Sequence, residues 1–234
     1  MTAPFPSPTK TWHTEKYQSI DPTRPELSAR GKTVVVTGGG TGIGAETARY
    51  FAEAGASRIA LLGRREQPLL DTKASIEQKF PNVEVLAAST DVANKAEVDA
   101  TFAKFAGTGK IHVVVSNAAV VGPLPSINDV DPEKFFDGVE TNIKGALHVA
   151  HAFLRHASPD AVAINVSSSA AHLNFVPGFA SYSVAKLAVY RLWDTLAFAN
   201  PGLSVFHVQP GVVDTDMNRE AGGVAALGME DNGK

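Results

Sequence analysis

Tyr182-Ser-Val-Ala-Lys186 sets a phenol and an ammonium four residues apart in a stretch patterned as a helix. Side chains at i and i+4 rise from one helical face. A cation beside a phenol favours the phenolate and draws down a pKa that starts near ~10, so the pair is predicted to exchange protons close to neutral pH. On spacing alone an ordinary exposed helix turn can carry the same two residues. Upstream, Thr37-Gly-Gly-Gly-Thr-Gly-Ile-Gly44 forms a second constellation. Glycine allows a tight turn and close approach to a phosphate, and a helix starting there aims free amides and a positive dipole end at a pyrophosphate. The spacing Gly38-x-x-x-Gly42-x-Gly44 departs from the commoner G-x-G-x-x-G, but a strand before it and a helix after it favour dinucleotide binding over a plain turn.

The elements that would position these groups alternate along the chain. A β-branched run at Thr33–Thr37 precedes a helix over Gly42–Gly55, with Ala45, Ala48, Phe51 and Ala52 on one side. Strands follow at Arg58–Leu62, Val83–Ala88, Ile111–Ser116, Ala161–Val166 and Leu203–Val208. Helical patterns lie between them at Leu69–Phe80, Lys95–Phe105, Pro132–Ala157 and Ala180–Phe198. Continuous apolar strands separated by helices predict an α/β fold, a Rossmann-like doubly wound parallel sheet of six strands. Strand two ends Leu62-Gly63-Arg64-Arg65, where an acid would grip the ribose of NAD. Two guanidiniums suit a 2′-phosphate instead, so NADP(H) is favoured over NAD(H). The competing reading makes both arginines solvated residues leading into a helix, with Glu66 beside them.

Composition narrows the function classes. With 21 basic and 24 acidic residues spread without runs, nothing points to nucleic acid or to an electrostatic membrane patch. The absence of cysteine removes disulfides and thiolate chemistry. Apolar runs such as Val34–Val36 are far shorter than the ~18 to 20 residues of a membrane helix, so a cytoplasmic protein is the expectation. His148, His151 and His156 lie along one helix, but no carboxylate is spaced to complete a metal set, and no metal is expected. His172 either lines a substrate mouth or sits in solvent. Residues 1–31 are rich in proline and lack periodicity, which predicts an N-terminal arm, with Trp12 and Tyr17 as its packing residues, ahead of a single catalytic domain at 32–234.

The glycine loop, Asn117-Ala118-Ala119, Asn142, Ser167-Ser168-Ser169, Tyr182-x-x-x-Lys186 and Pro210-Gly211, in that order, resemble the short-chain dehydrogenase/reductase family over residues 32 to about 218. Its proline-rich lead-in and overall wording are similar to members from filamentous fungi that work in secondary metabolism. The resemblance assigns Gly38, Gly42, Ile43 and Gly44 to the cofactor loop and Asp91 and Val92 to the adenine. It places Asn117 and Ala118 along the adenine ribose, and Pro210, Gly211, Val213 and Thr215 at the nicotinamide end. It makes Tyr182 the acid/base, Lys186 its pKa-lowering neighbour and ribose anchor, and Asn142 the holder of a relay water. A serine would hold the substrate oxygen. Strand register selects Ser168, and the family's usual interval to the tyrosine selects Ser169; Ser168 is preferred, because loops accept an inserted residue.

Carried through, the resemblance implies an NADP(H)-dependent carbonyl reductase or alcohol dehydrogenase, interconverting a ketone or aldehyde and an alcohol by hydride transfer with Tyr182 as acid/base. The partner would be a small carbonyl or alcohol, apolar because Phe175 and Phe179 flank the expected pocket. A homo-oligomer packed through the Pro132–Ala157 helix is compatible with the family. One departure weighs the other way: the chain ends at Lys234, soon after Gly211, so the family's usual seventh strand is expected to be missing. The alternative is a shortened relative that holds NADP with little or no turnover.

Overall fold

The computed structural model describes residue 13 and residues 16–174 and 177–223. Trp12 and Phe175 lie outside the described residues. The strands are β1 Thr33–Thr37, β2 Arg58–Gly63, β3 Glu84–Ser89, β4 Ile111–Ser116, β5 Ala157–Val166 and β6 Ser204–Val208. The helices are α1 Gly42–Glu53, α2 Glu66–Lys79, α3 Lys95–Ala106, α4 Pro132–His156, α5 Ala180–Ala199 and a short α6 at Asp216–Glu220.

All six strands run parallel in the order β3-β2-β1-β4-β5-β6. Alternate side chains divide the core between the two sheet faces. Val34, Val36, Ile59, Leu61, Val113 and Val115 pack against Ala48, Ala52, Leu69 and Ile76 of α1 and α2. On the opposite face, Val35, Leu62, Val114 and Ala163 meet Phe102, Phe105, Phe153 and Trp193 of α3, α4 and α5. Each of those fully buried rings contributes roughly 1.5–3 kcal/mol. The outer face of β6 is less covered, with Phe206 57% and Val208 47% exposed.

Helix starts follow local chemistry. Asn94 accepts from the amides of Ala96 and Glu97 at 3.1 and 3.3 Å, and Asp131 accepts from Lys134 at 3.1 Å with Pro132 in the first turn. At α1 the N-terminal flanking residue, Thr41, makes no side-chain cap. The amides of that first turn are left facing the carboxyl edge of the sheet.

Ahead of β1, residues 16–31 hold no strand or α-helix. Two 3-10 turns, Gln18–Ile20 and Pro25–Leu27, lead into a segment fastened to the end of α1. Ala29 N–H donates to Ala54 O at 2.8 Å, and Lys16 lies 3.7 Å from Glu53. Tyr17 stacks on His13 and remains 39% exposed.

Candidate active site

The chain runs from β1 outward to β3 on one side and from β4 outward to β6 on the other, so connections diverge at the β1/β4 seam. A crevice opens there, beyond the carboxyl ends of the strands. Two lobes of about 470 and 520 Å³ share Gly38, Thr41, Arg64, Arg65, Ala118, Ala119 and Val120. The first lobe continues along Gly40, Asp91, Val92 and Asn142, and the second along Gly42, Ile43, Asn117, Tyr182, Lys186, Pro210 and Thr215.

The glycines fit their places tightly. Gly38 takes a φ of 67°, the left-handed region glycine favours. A Cβ on Gly44 would lie 2.2 Å from Gly38 O, so α1 can reach the β1 turn this closely only with hydrogen there.

A residue the sequence did not single out organises the seam. Thr37 is 1% exposed, and its hydroxyl accepts from the amides of Asn117 and Ala118 at 2.9 and 3.0 Å. The same hydroxyl donates to Val115 O at 3.3 Å. Asn117 reciprocates by donating Nδ2–H to Thr37 O at 2.9 Å. The only sequence signal is a threonine ending a buried strand just before the glycines.

At the other end of the cleft, Lys186 is 6% exposed and donates from Nζ to Val166 O at 2.8 Å. Burial lowers its pKa from 10.5 to about 8. Burial raises the Tyr182 phenol above its ordinary 10.0, and the Ser168 hydroxyl beside it pulls more weakly the other way. The expected lowering by Lys186 is therefore overturned in this state. Geometry gives the reason: Nζ sits over the phenol ring, 5.6 Å from its centroid, with a backbone carbonyl as its hydrogen-bond partner. Phe179 meets Tyr182 edge-on at 5.9 Å.

Between the two serines, Ser168 is the one beside the Tyr182 phenol, and its Oγ accepts from Ala170 N–H at 3.2 Å. Ser169 instead opens a 3-10 turn, its carbonyl accepting from His172 and Leu173. Asn142 clamps the opposite strand end. Its Oδ1 accepts from Val120 N–H at 2.9 Å, while Nδ2 donates to Val120 O and Gly138 O at 2.9 and 3.0 Å. Both amide hydrogens are thus engaged by backbone.

Other expected residues sit as follows. Gly211 and Val213 are not among the lining residues of either lobe; Val213 O accepts from Asn218 Nδ2 at 3.1 Å. His148 Nδ1 lies 3.0 Å from Val92 O, behind the wall of the first lobe. His172 packs edge-on against Tyr190 at 5.1 Å. α6, absent from the sequence reading, adds Asp216, Met217 and Glu220 to the cleft wall.

Known proteins resemble this chain in sequence and in fold. A family described as short chain dehydrogenase matches residues 32–223. A short chain dehydrogenase/reductase of Claviceps purpurea is 32% identical over 218 residues, covering 90% of this chain and 72% of that protein. An alcohol dehydrogenase from the archaeon Thermococcus sibiricus, complexed with 5-hydroxy-NADP, superposes with a TM-score of 0.73 at 28% identity, covering 79% of this chain and 78% of the other. An NAD+-bound xylitol dehydrogenase gives 0.71 at 28% identity, covering 79% and 72%.

Proposed function

The chain belongs to the short-chain dehydrogenase/reductase family, and we propose that it is an NADP(H)-dependent oxidoreductase interconverting a ketone or aldehyde with an alcohol. The observation that carries the proposal is that Tyr182, with the Ser168 hydroxyl beside its phenol, and Lys186 line one end of a cleft whose other end is lined by Gly38 and Gly42.

A nicotinamide dinucleotide fits the residues present. The first-turn amides of α1 lack a side-chain cap, and Gly38 and Gly42 line the cleft beside them without side chains in the way. Arg64 and Arg65 stand over the end of β2, where a 2′-phosphate would lie. With the group bound, Asp91 and Val92 would border its adenine, Asn117 and Ala118 the adjoining ribose, and Pro210 and Thr215 its nicotinamide end, all of them residues that line the two lobes. Bound there, the group supplies a hydride to the carbonyl carbon or accepts one from the alcohol.

The protein's own residues would handle the proton. A phenol whose pKa is held up by burial stays protonated near neutral pH, which suits Tyr182 to donate to a carbonyl oxygen during reduction. Ser168 would orient that oxygen through the hydroxyl it already directs at the phenol. Lys186, ionised below about pH 8, would anchor the cofactor ribose and favour the phenolate after proton loss. Asn142 would position the Val120 segment rather than touch the reacting atoms. Phe179 and Met217 offer an apolar wall for the substrate.

The test is turnover by the purified protein with NADPH and a panel of apolar ketones and aldehydes, read as loss of reduced-nicotinamide absorbance. Activity that falls about 10²- to 10⁴-fold in Tyr182→Phe is expected. Tight NADPH binding without turnover on any carbonyl or alcohol would sink the catalytic assignment.

A further inference from the structure

Arg65 reaches across the cleft. Its Nη2 lies 3.4 Å from Oδ2 of Asp216, the first residue of α6. The two are 151 positions apart in sequence and line the same lobe. Arg64, next to Arg65, makes no ion pair among the described residues. Asp216 also meets Arg219 Nη1 at 3.1 Å, and Arg219 in turn meets Asp214 at 2.9 Å. The segment entering α6 is seated on the glycine turn, since a Cβ on Gly42 would lie 2.9 Å from Thr215 Cγ2.

Resting on the NADP(H) reading above, we infer that Asp216 is a specificity-determining residue: its carboxylate engages Arg65 in the nucleotide-free protein and yields that guanidinium to the 2′-phosphate. The side chains of Arg65 and Asp216 are 65% and 51% exposed, and a long, exposed pair of this kind is weak. A phosphate carries more charge than a carboxylate and presents several oxygens to a planar guanidinium, so it wins the exchange. Asp216 is not stranded by the loss, because Arg219 remains beside it. Breaking the pair nevertheless costs what that contact was worth, so the carboxylate competes with the phosphate for Arg65. A bare ribose hydroxyl carries no charge, so NAD(H) leaves the Arg65–Asp216 contact undisturbed. Asp216 thus sets how strongly the cleft discriminates the two nucleotides, through a residue on the far wall from the arginines themselves.

The experiment is titration of the full chain, Asp216→Asn, Arg65→Gln and the double variant with NADPH and with NADH, followed by nucleotide fluorescence. Freeing Arg65 from its carboxylate partner is expected to tighten NADPH about three- to fivefold in Asp216→Asn, to move NADH less than about twofold, and to have no such effect once Arg65 is Gln. Asparagine keeps the shape of a side chain that is half-exposed, so the fold is not at stake. Unchanged or weaker NADPH binding, equal tightening of NADH, or tightening that persists without Arg65 would each overturn the inference. The unsubstituted protein separates the two claims. A ratio of NADPH to NADH affinity near one overturns the NADP(H) reading and this inference with it, whereas a clear NADPH preference that ignores Asp216→Asn overturns the inference alone.

Discussion

Lys186 offers the sharpest quantitative check, because its pKa is lowered from 10.5 to about 8 by burial alone. For a base, a folded pKa below the unfolded one means the native state binds fewer protons between those values, so stability rises with pH across that window. Holding the ammonium in the fold therefore costs about 3 kcal/mol at neutral pH, and the cost is lifted as pH climbs from about 8 toward 10.5. The perturbation is Lys186→Met, which keeps the stem and removes the charge. It also leaves Val166 O without its 2.8 Å donor, a loss of about 1–3 kcal/mol that does not depend on pH. Urea unfolding read by the fluorescence of fully buried Trp193 would be measured for both proteins in the nucleotide-free state. Between about pH 7 and about pH 9.5, the unsubstituted protein is expected to gain about 2 kcal/mol relative to Lys186→Met. Tyr182 titrates in the opposite sense, since its raised pKa removes stability only above its unfolded value near 10, and it is common to both proteins. A difference between the two that stays flat with pH would refute the argument that Lys186 is desolvated.

Two further substitutions test the seam and the serine choice. Thr37→Val removes a hydroxyl holding two amides and one carbonyl at a site 1% exposed, and is expected to cost about 2–4 kcal/mol in urea unfolding and to weaken nucleotide binding, with Thr37→Ser restoring both. Ser168→Ala is expected to lower kcat at least about 10²-fold, whereas Ser169→Ala changes it by less than about threefold, measured in the same carbonyl assay.

The strands flanking the site were legible because their chemistry is local. β1 and β4 keep the bounds read from their apolar runs, since each is buried on both faces and followed by residues that turn. β5 begins earlier than its apolar run, at Ala157, because Ala157 pairs with Ile111 across a register shift while Pro159 and Asp160 mask the strand. α6 is five residues long, too short for any periodicity. The Tyr182–Lys186 spacing anticipated that both side chains share one lobe of the cleft, but not the upward direction of the phenol's pKa, because burial and the position of Nζ over the ring belong to tertiary packing. Thr37 escaped notice for a related reason: its partners, Asn117 and Ala118, lie 80 and 81 positions away.

That separation bears on how the chain assembles. Within the first half β1 pairs β2 and β2 pairs β3, and within the second β4 pairs β5 and β5 pairs β6. The halves join through Val34, Val35 and Val36 against Val113, Val114 and Val115, then through the Thr37 hydroxyl. Closing that loop carries the entropy of a long-range contact, which belongs among the slow steps of folding. A ligand touching Gly38 on one side and Ala118 on the other binds only after the closure, so it withdraws the joined form from the unfolding equilibrium. At a hundredfold excess over its Kd such a ligand is worth about 2.7 kcal/mol. The crevice that would serve chemistry is, in the folding reaction, the joint at which a bound nucleotide acts as a rivet.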